Sequence, residues 1–201
     1  MMIDKEACIV ELKSKFESYA SIEQESWLLM RSIIDFQILK REEVLLRHGE
    51  VAKNFYYVCK GALRAYFTNS DGDTYNKNIF LENNFAGSTV SYLQKTPSAF
   101  TLEALEDSVL IAINYKKYRD LITKKEDLKN FYIAYLEKNW VIEKEQREIS
   151  LVMQNATQRY LQLLQQYPNI DQRIPQLHIA SHIGVTPTQL SRIRKEIKKN
   201  S

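Results

Sequence analysis

The sequence predicts an α+β fold: short helices, a β-barrel of the roll or jelly-roll type, one long helix, and a closing pair of short helices. Many short runs of alternating apolar and polar residues, separated by turn residues, lie between positions 36 and 113. Residues 126–153 contain neither glycine nor proline and repeat apolar residues at heptad spacing. Residues 176–195 place Gly184 between two apolar stripes of helical period.

Composition narrows the class of protein. The chain has 201 residues, 44% of them hydrophobic, which is enough for one or two domains with a true core. The net charge is +3, but residues 156–201 hold seven basic residues against two acidic ones, while the rest is slightly acidic. A basic C-terminal segment beside a slightly acidic body is typical of a nucleic-acid-binding module joined to another domain.

Segments for membranes, metals or cofactors are not evident in the sequence. The two cysteines, Cys8 and Cys59, are not in CxxC spacing, which disfavours a zinc knuckle or an iron–sulfur cluster. The N-terminus lacks a signal-peptide pattern, and no apolar run approaches 18 residues. We therefore expect a cytoplasmic protein with no cofactor, no metal and no membrane partner.

Two helices and a set of strands are predicted for the first half. Ile9, Leu12 and Phe16 recur at helical spacing within residues 4–18, and a second helix is expected through 23–33, capped by Ser21. The period then changes to that of strands. Glycines at Gly49, Gly61 and Gly72 mark turns. Strands are predicted at 36–38, 44–46, 55–59, 62–68, 75–81, 85–88, 100–105 and 109–113.

The long helix predicts a dimer. At about 1.5 Å per residue it would extend roughly 40 Å, which a small barrel cannot cover in one chain. We expect residues 126–155 to pair in parallel with the same helix of a second copy, with Asn139 and Gln146 setting the register. The alternative is a helix that lies on its own barrel. The predicted seam consists of Leu128, Tyr132, Tyr135, Asn139, Ile142, Gln146, Ile149 and Met153.

The end of the chain predicts a helix-turn-helix. Residues 156–167 form an amphipathic helix through Tyr160, Leu161 and Leu164, followed by a loop at 169–174. The first helix of the motif buries Ile179, Ala180 and Ile183, and Gly184 is its C-cap. Thr186 caps the second helix, Pro187 opens it, and Leu190, Ile193 and Ile197 form its apolar stripe.

The outward face of the second helix carries donors and cations suited to DNA bases and phosphates. A hairpin that merely packs is the alternative, but Glu196 is the only acid on this face. His178 and His182, spaced i, i+4, are expected to be solvated rather than metal-binding, because no HExxH pattern accompanies them. The candidate DNA-binding residues are Thr186, Pro187, Thr188, Gln189, Ser191, Arg192, Lys195 and Lys199.

The whole order resembles the CRP/FNR family of bacterial transcription regulators. Residues 45–67 (LLRHGEVAKNFYYVCKGALRAYF) are similar to the opening of that family's β-roll, residues 83–88 (NNFAGS) to the strand entering its phosphate-binding cassette, and residues 176–195 to its helix-turn-helix. The resemblance implies a cyclic-nucleotide-binding-like sensor at 1–125, a dimerisation helix at 126–155 and a DNA-binding domain at 156–201. It implies a homodimer that binds double-stranded DNA and an unknown effector, with RNA polymerase as a further candidate partner.

The sequence departs from the family pattern where cyclic nucleotides bind. The family has Gly-Glu on entering the cassette and Arg-Ser about ten residues later; here Gly87 is followed by Ser88, and the second pair reads Ser98-Ala99. Burying a phosphate without an arginine is unfavourable, so we expect that cyclic AMP does not bind. A neutral or apolar effector, or none, remains open. The candidate pocket is Gly87, Ser88, Thr89, Ser98 and Ala99.

The DNA-binding end also departs from the pattern. Only residues 199–201 follow Lys198, so the family's two-stranded wing is not expected. The family's first base-reading Arg position is Pro187 and the next position is Thr188, whereas its second Arg is kept as Arg192. Arg192 is therefore the expected main base contact, with Thr188, Gln189 and Ser191 as secondary readers and Thr186, Lys195 and Lys199 on phosphates.

The sequence thus predicts a homodimeric, sequence-specific DNA-binding transcription regulator. The alternative is a barrel that binds a ligand or a protein while its helix-turn-helix is non-functional. An enzyme is disfavoured, because a metal site in a barrel needs several histidines and only His48 lies in the barrel region. There is also no GxSxG, P-loop or Cys/His nucleophile arrangement.

Overall fold

The computed structural model describes residues 4–199. Its helices are α1 (Lys5–Glu17), α2 (Gln24–Arg31), α3 (Thr89–Gln94), α4 (Tyr115–Ile122), α5 (Glu126–Leu136), α6 (Glu143–Met153), α7 (Ala156–Gln166), α8 (Ile170–Arg173), α9 (Gln176–Ile183) and α10 (Pro187–Lys199). Its strands are β1 (Ile34–Leu39), β2 (Val44–Leu46), β3 (Asn54–Lys60), β4 (Leu63–Thr68), β5 (Thr74–Phe80), β6 (Phe85–Ala86), β7 (Thr101–Ala104) and β8 (Ser108–Asn114).

The strands form two four-stranded antiparallel sheets that face each other as a β-roll. One sheet has the order β1-β8-β3-β6 and the other β2-β7-β4-β5. Strand β8 is buried along nearly its whole length because it lies between β1 and β3, and this accounts for its continuous apolar run. The predicted β-roll is confirmed, and each predicted strand coincides with an observed one to within a few residues.

Gly61 is required at the turn between β3 and β4. Its φ is +99°, a region that other residues rarely adopt. A Cβ atom built there would lie 2.8 Å from the Cα of Ser108, so the backbone of the neighbouring turn leaves no space for a side chain. Hydrogen bonds from the Ala62 amide to Ser108 Oγ (3.2 Å) and from the Leu105 amide to the Ala62 carbonyl hold this close approach.

The N-terminal helices cover the barrel. Helix α1 buries Ile9, Leu12 and Phe16, as the sequence predicts, and Asp4 caps it. Helix α2 is shorter than expected, and Ser21 does not cap it. Instead the carboxylate of Asp127, at the start of α5, accepts bonds from Ser26 Oγ and from the Glu23 amide, both at 2.9 Å. The two N-terminal helices and α5 therefore form one layer.

The first part of the long helix lies on its own barrel. The ring of Phe131 on α5 stacks on Phe16 with centroids 3.9 Å apart, and Tyr135 meets Phe85 edge-on at 5.5 Å. Leu128 is 0% exposed, so it has no surface to offer a second copy. The placement of Leu128 in an intermolecular seam is therefore wrong, because the chain's own core already encloses it.

The rest of the long helix leaves the barrel. A π-helical segment, Glu137–Ile142, joins α5 to α6, so the helix runs from 126 to 153 with one looser stretch. From the last residue of that segment onward the predicted seam positions are solvent-exposed: Ile142 by 53%, Ile149 by 55% and Met153 by 77%. Gln146 is exposed as well. A monomer therefore leaves an apolar face of this helix uncovered.

The C-terminal helices share a core with the barrel. Tyr160, Leu163, Ile179 and Leu190 pack together with barrel residues including Ala62, Ile79, Leu81 and Leu105. Two expectations for this region are wrong: Leu163 rather than Leu161 faces the core, and 169–174 contains the one-turn helix α8. Asn169, at φ +68°, starts that turn. Because it directly follows Pro168, the sequence pattern indicated a loop instead of a helix.

Polar contacts also fasten the C-terminal helices to the barrel. The guanidinium of Arg173 bridges Glu82, at 2.8 Å, and Glu106. The Asn76 amide on β5 donates to Ser181 Oγ at 2.7 Å, and the Asn76 side chain donates to the His178 carbonyl at 2.9 Å. Within residues 4–199 no helix has the length and apolar character needed to cross a membrane.

Candidate functional site

Helices α9 and α10 meet at a three-residue turn that the sequence specifies closely. Gly184 ends α9 at φ +74°, the left-handed conformation expected of a C-cap. Thr186 and Gln189 then form reciprocal bonds, from the Thr186 amide to Gln189 Oε1 (2.9 Å) and from the Gln189 amide to Thr186 Oγ1 (3.2 Å). This capping box begins α10 and keeps its first turn rigid.

One face of α10 is buried and the other is open. Leu190 and Ile193 lie in the C-terminal core. Every predicted DNA-binding residue is exposed except Ser191, which is half-buried. Arg194 points away from the open face and pairs with Asp171 at 3.2 Å. Because the Gln189 carbonyl is engaged in the cap, only its side-chain amide nitrogen remains for a base.

Helix α9 supports α10 instead of facing solvent. His178 Nδ1 lies 3.2 Å from Nη1 of Arg64, and Arg64 is held in turn by Glu103 at 2.9 Å. His182 is half-buried, and its Nδ1 is shielded from solvent and has no hydrogen-bond partner in the described chain. The expectation of two solvated histidines is therefore wrong. Since β5 packs directly against α9, the i, i+4 pair is the inward face of the helix.

Burial keeps both histidines uncharged. Burial and then the nearby charge of Arg64 lower the pKa of His178 to about 4. Burial and then the charge of Arg147 lower the pKa of His182 to about 4. Neither ring is placed with other metal-ligating side chains, since residues 4–199 contain no cluster of three or more histidines, cysteines or carboxylates suited to a metal.

The residues predicted to form the effector pocket do not lie together around one cavity. Ser98 Oγ lies 2.9 Å from Ser88 Oγ and 2.8 Å from the Phe100 carbonyl oxygen, and both serines are buried. Their hydroxyls are thus used within the barrel and are not presented to a phosphate. Ala99 is on the surface. Gly87 and Thr89 alone reach a cavity.

That cavity lies between the barrel and the long helix. Its volume is about 110 Å³, and it is open to solvent on one side. Ten of its lining side chains are aromatic, and sequence reasoning missed nearly all of them as site residues. The only signal was the crowding of tyrosines among residues 115–135. The aromatic lining is Phe55, Phe80, Phe85, Tyr92, Tyr115, Tyr118, Phe131, Tyr132, Tyr135 and Trp140.

Four tyrosines of this cavity, Tyr92, Tyr115, Tyr118 and Tyr135, stay neutral. Burial raises the pKa of Tyr115 to about 12, and it also raises the pKa of Tyr92, Tyr118 and Tyr135. Their phenol groups are therefore hydrogen-bond donors rather than negative charges. Tyr92 and Tyr115 stack with centroids 4.1 Å apart, which makes one wall flat.

Comparisons with known proteins identify a matching domain family and similar structures. Residues 36–125 match the cyclic nucleotide-binding domain family. A putative cyclic nucleotide-binding protein from Ruegeria pomeroyi has a similar structure, with TM-score 0.71 and 17% identity, over 98% of this chain and 89% of that one. FixK2 from Bradyrhizobium japonicum is similar with TM-score 0.68 and 17% identity, over 84% of this chain and 86% of that one.

A third similar structure is the regulator CLP from Xanthomonas campestris, described as responsive to c-di-GMP, with TM-score 0.67 and 14% identity, over 89% of this chain and 93% of that one. No curated protein matches the chain by sequence. Each of the three similarities covers at least 84% of this chain. The chain has the fold of the CRP/FNR family.

The CRP/FNR fold relates the two candidate sites. The long helix touches the aromatic cavity through α5 and the π-helical segment, and α6 then leads to the C-terminal helices. In addition, α9 rests on β5, and Lys77 and Phe80 of β5 line the cavity. The cavity and the exposed face of α10 are thus connected by two routes through packed elements.

Proposed function

We propose that this protein is a homodimeric transcription regulator that reads DNA with α10 and whose barrel cavity takes an effector other than cyclic AMP. The exposed face of α10 carries the proposal. It presents Arg192, Lys195 and Lys199 on a helix whose opposite side is fixed by the core and whose start is fixed by the Thr186 cap. A rigid helix with an exposed cationic face is suited to the major groove.

The assignment of contacts follows the geometry of the helix. Arg192 has no ion-pair partner within residues 4–199, so its guanidinium is free to make a bidentate contact with a guanine. Lys195 and Lys199 lie one and two turns further along, where phosphates of the groove edge would meet them. Thr188 and Ser191 supply short-range hydroxyl contacts, and Gln189 supplies its amide nitrogen.

Exposed apolar residues support the dimer. Ile142, Ile149 and Met153 recur at intervals of seven and four on the helix that leaves the barrel. A second copy packed in parallel would cover this face and set two α10 helices against successive major grooves. In this proposal the seam runs from Ile142 downward. Asn139, which the sequence predicted to set the register, donates instead to Tyr19 Oη of its own chain at 3.0 Å, and the residues above it pack on the chain's own barrel.

The paired serines support the proposal that cyclic AMP does not bind. The Ser88–Ser98 contact leaves no buried donor set for a phosphate at the cassette, and Lys95 is exposed. The charge of a cyclic phosphate would thus be desolvated without a partner. An effector in the aromatic cavity is the alternative that the geometry favours.

The test is selection of genomic fragments by the purified full-length protein, followed by sequencing. We expect an enriched inverted repeat with half-sites about one helical turn apart. Arg192→Ala is then compared with Arg47→Ala, an exposed arginine in a barrel turn. Arg192→Ala should weaken specific binding by about 1–3 kcal/mol and relax one base pair of each half-site. An unchanged site preference in Arg192→Ala would refute its role.

The alternative is a barrel that binds a partner protein while the helix-turn-helix is non-functional. Charge reversal on α10 distinguishes this alternative from the regulator proposal. Lys195→Glu combined with Lys198→Glu should abolish salt-dependent DNA binding while thermal unfolding stays unchanged, since both side chains are exposed. If the wild-type protein binds no DNA even at low salt, the regulator proposal fails.

A further inference from the structure

We propose that the aromatic cavity binds a small aromatic carboxylate, a single planar ring bearing one negative charge, and that Lys77 is its counter-charge. This inference rests on the proposed function only in treating the cavity as the effector site. It goes further by naming the chemistry of the effector. Size, lining and charge each limit that chemistry.

The size of the cavity favours one ring. An apolar protein cavity of about 150 Å³ is enough to enclose benzene. The cavity here measures about 110 Å³, somewhat less than that, and it is open on one side. A single six-membered ring is therefore the largest body that it holds, and a polar substituent would lie toward the opening. A purine joined to a ribose phosphate is larger than this.

The lining favours a flat, apolar body. Phe85 meets Phe55 at 5.8 Å and Tyr135 at 5.5 Å, both edge-on, so a further ring in the space between them continues an existing aromatic cluster. The stacked pair Tyr92 and Tyr115 forms the flat wall opposite a planar guest. A saturated ring of the same size fills the volume less well, because its axial hydrogens prevent face contact.

Two uncompensated cations favour a negative charge. Lys77 lines the cavity, and the guanidinium of Arg147 donates to the Lys77 carbonyl at 3.0 Å. In residues 4–199 neither side chain has a carboxylate within ion-pair distance. The Lys77 ammonium instead lies 4.7 Å from the centroid of Phe100. Both side chains are exposed to solvent overall. Partial burial and then the charge of Arg147 nevertheless lower the pKa of Lys77, so a bound anion would stabilise its charged form.

The Tyr115 hydroxyl, on the flat wall, is the expected donor to the second oxygen of the ligand carboxylate. The Tyr115 hydroxyl is shielded from solvent and makes no hydrogen bond of ordinary geometry within the described chain, although the side chains of Tyr132 and Arg119 lie near it. Its raised pKa keeps it a donor at neutral pH. A buried donor without a well-aligned partner is unfavourable, and a ligand acceptor would satisfy it.

The experiment titrates the full-length protein with benzoate, benzamide and cyclohexanecarboxylate, using calorimetry and the fluorescence of Trp140 on the cavity wall. Trp140→Phe identifies the part of the signal that comes from Trp27. We expect benzoate to bind with a dissociation constant below about 1 mM and the other two at least about tenfold more weakly. Lys77→Met should weaken benzoate at least about tenfold and leave benzamide unchanged.

The matched control is Lys116→Met, an exposed lysine on α4 beside the cavity wall but outside its lining. It should bind all three probes as the wild type does. Thermal unfolding of each variant verifies that it is folded. Equal binding of benzoate and benzamide would overturn the charge requirement, and unchanged benzoate binding in Lys77→Met would overturn the role of Lys77.

Failure to bind any of the three probes would overturn the ligand class. That result is distinguishable from failure of the proposed function, because DNA selection by the same preparation does not depend on the probes. A protein that selects an inverted repeat but binds no aromatic probe remains a regulator with a different effector. A protein that binds benzoate but no DNA retains the cavity assignment and loses the regulator proposal.

Discussion

The docking of α9 on the barrel should weaken in acid through His182. The ring sits at the contact of α9 with β5, its Nδ1 is shielded and unpaired, and Arg147 of α6 is the charged group that faces it. Burial and that charge lower its pKa from 6.5 to about 4. The free side chain thus takes up a proton in a range where the docked one remains neutral.

The direction and size of the effect follow from linkage. Below pH 6.5 the unfolded or undocked state binds more protons than the docked state, so docking is lost progressively as the pH falls from 6.5 toward 4. The contribution of His182 is fully present at pH 8, and about 2 kcal/mol of it should be gone at pH 5. Both histidines are half-buried, and His178 acts in the same direction. Its Nδ1 already contacts Arg64, whereas the Nδ1 of His182 is shielded and unpaired in the described chain.

The assay is urea unfolding at pH 8 and pH 5, followed by circular dichroism, for the wild type and His182→Gln. The substitution removes the titrating group, so the variant should lose about 2 kcal/mol less than the wild type between the two pH values. Any pH-independent penalty of the substitution cancels in this difference. His48→Gln, in an exposed turn of the barrel, should behave as the wild type. Equal losses for His182→Gln and the wild type would refute the reasoning.

Two further predictions concern stability and assembly. Gly61→Ala should lower the free energy of unfolding by about 2–5 kcal/mol, because the new side chain clashes with Ser108 and the backbone is in a left-handed conformation. The control Gly72→Ala, at φ +88° with open space around it, should lower it by only about 1 kcal/mol. Equal shifts of the unfolding temperature in the two variants would contradict the role of the close approach at Gly61. Ile149→Glu should convert the dimer to a monomer in sedimentation velocity, and Val90→Glu, an equally exposed apolar residue on α3, should not; an unchanged dimer in Ile149→Glu would remove Ile149 from the seam.

Local rules predicted much of this fold because the relevant residues act over short distances. Gly184, Thr186 and Pro187 define the turn before α10 through their own backbone preferences. The spacing of Ile9, Leu12 and Phe16 identified the buried face of α1 in the same way. The heptad pattern of the long helix was harder to interpret, because a period of 3.5 marks a buried stripe without saying what covers it. Above the π-helical segment that cover is the chain's own barrel.

What the sequence did not predict depends on contacts between residues far apart in the chain. The histidines of α9 read as a polar face, and only the approach of β5, about a hundred residues earlier, makes them an inner face. The effector pocket was sought at the hydroxyls of Ser88 and Ser98, yet these bond each other across ten residues. The aromatic residues that line the cavity instead come from β3, β5, β6, α3, α4 and the long helix.

The π-helical segment adjoins the cavity, so an occupant of the cavity contacts the long helix where its direction can change. Tyr135 and Leu136 line the cavity just before the segment and Trp140 lines it from within, so an occupant contacts the helix where its hydrogen bonds depart from the α pattern. Residues in a π-helix advance by about 4.4 per turn instead of 3.6, so restoring even one α-helical bond there rotates everything below it. Below it lie the exposed Ile149 and Met153, and then α7 to α10. A ligand that prefers one of the two helical forms would therefore change both the seam and the direction of α10, since only such a differential affinity can shift the equilibrium.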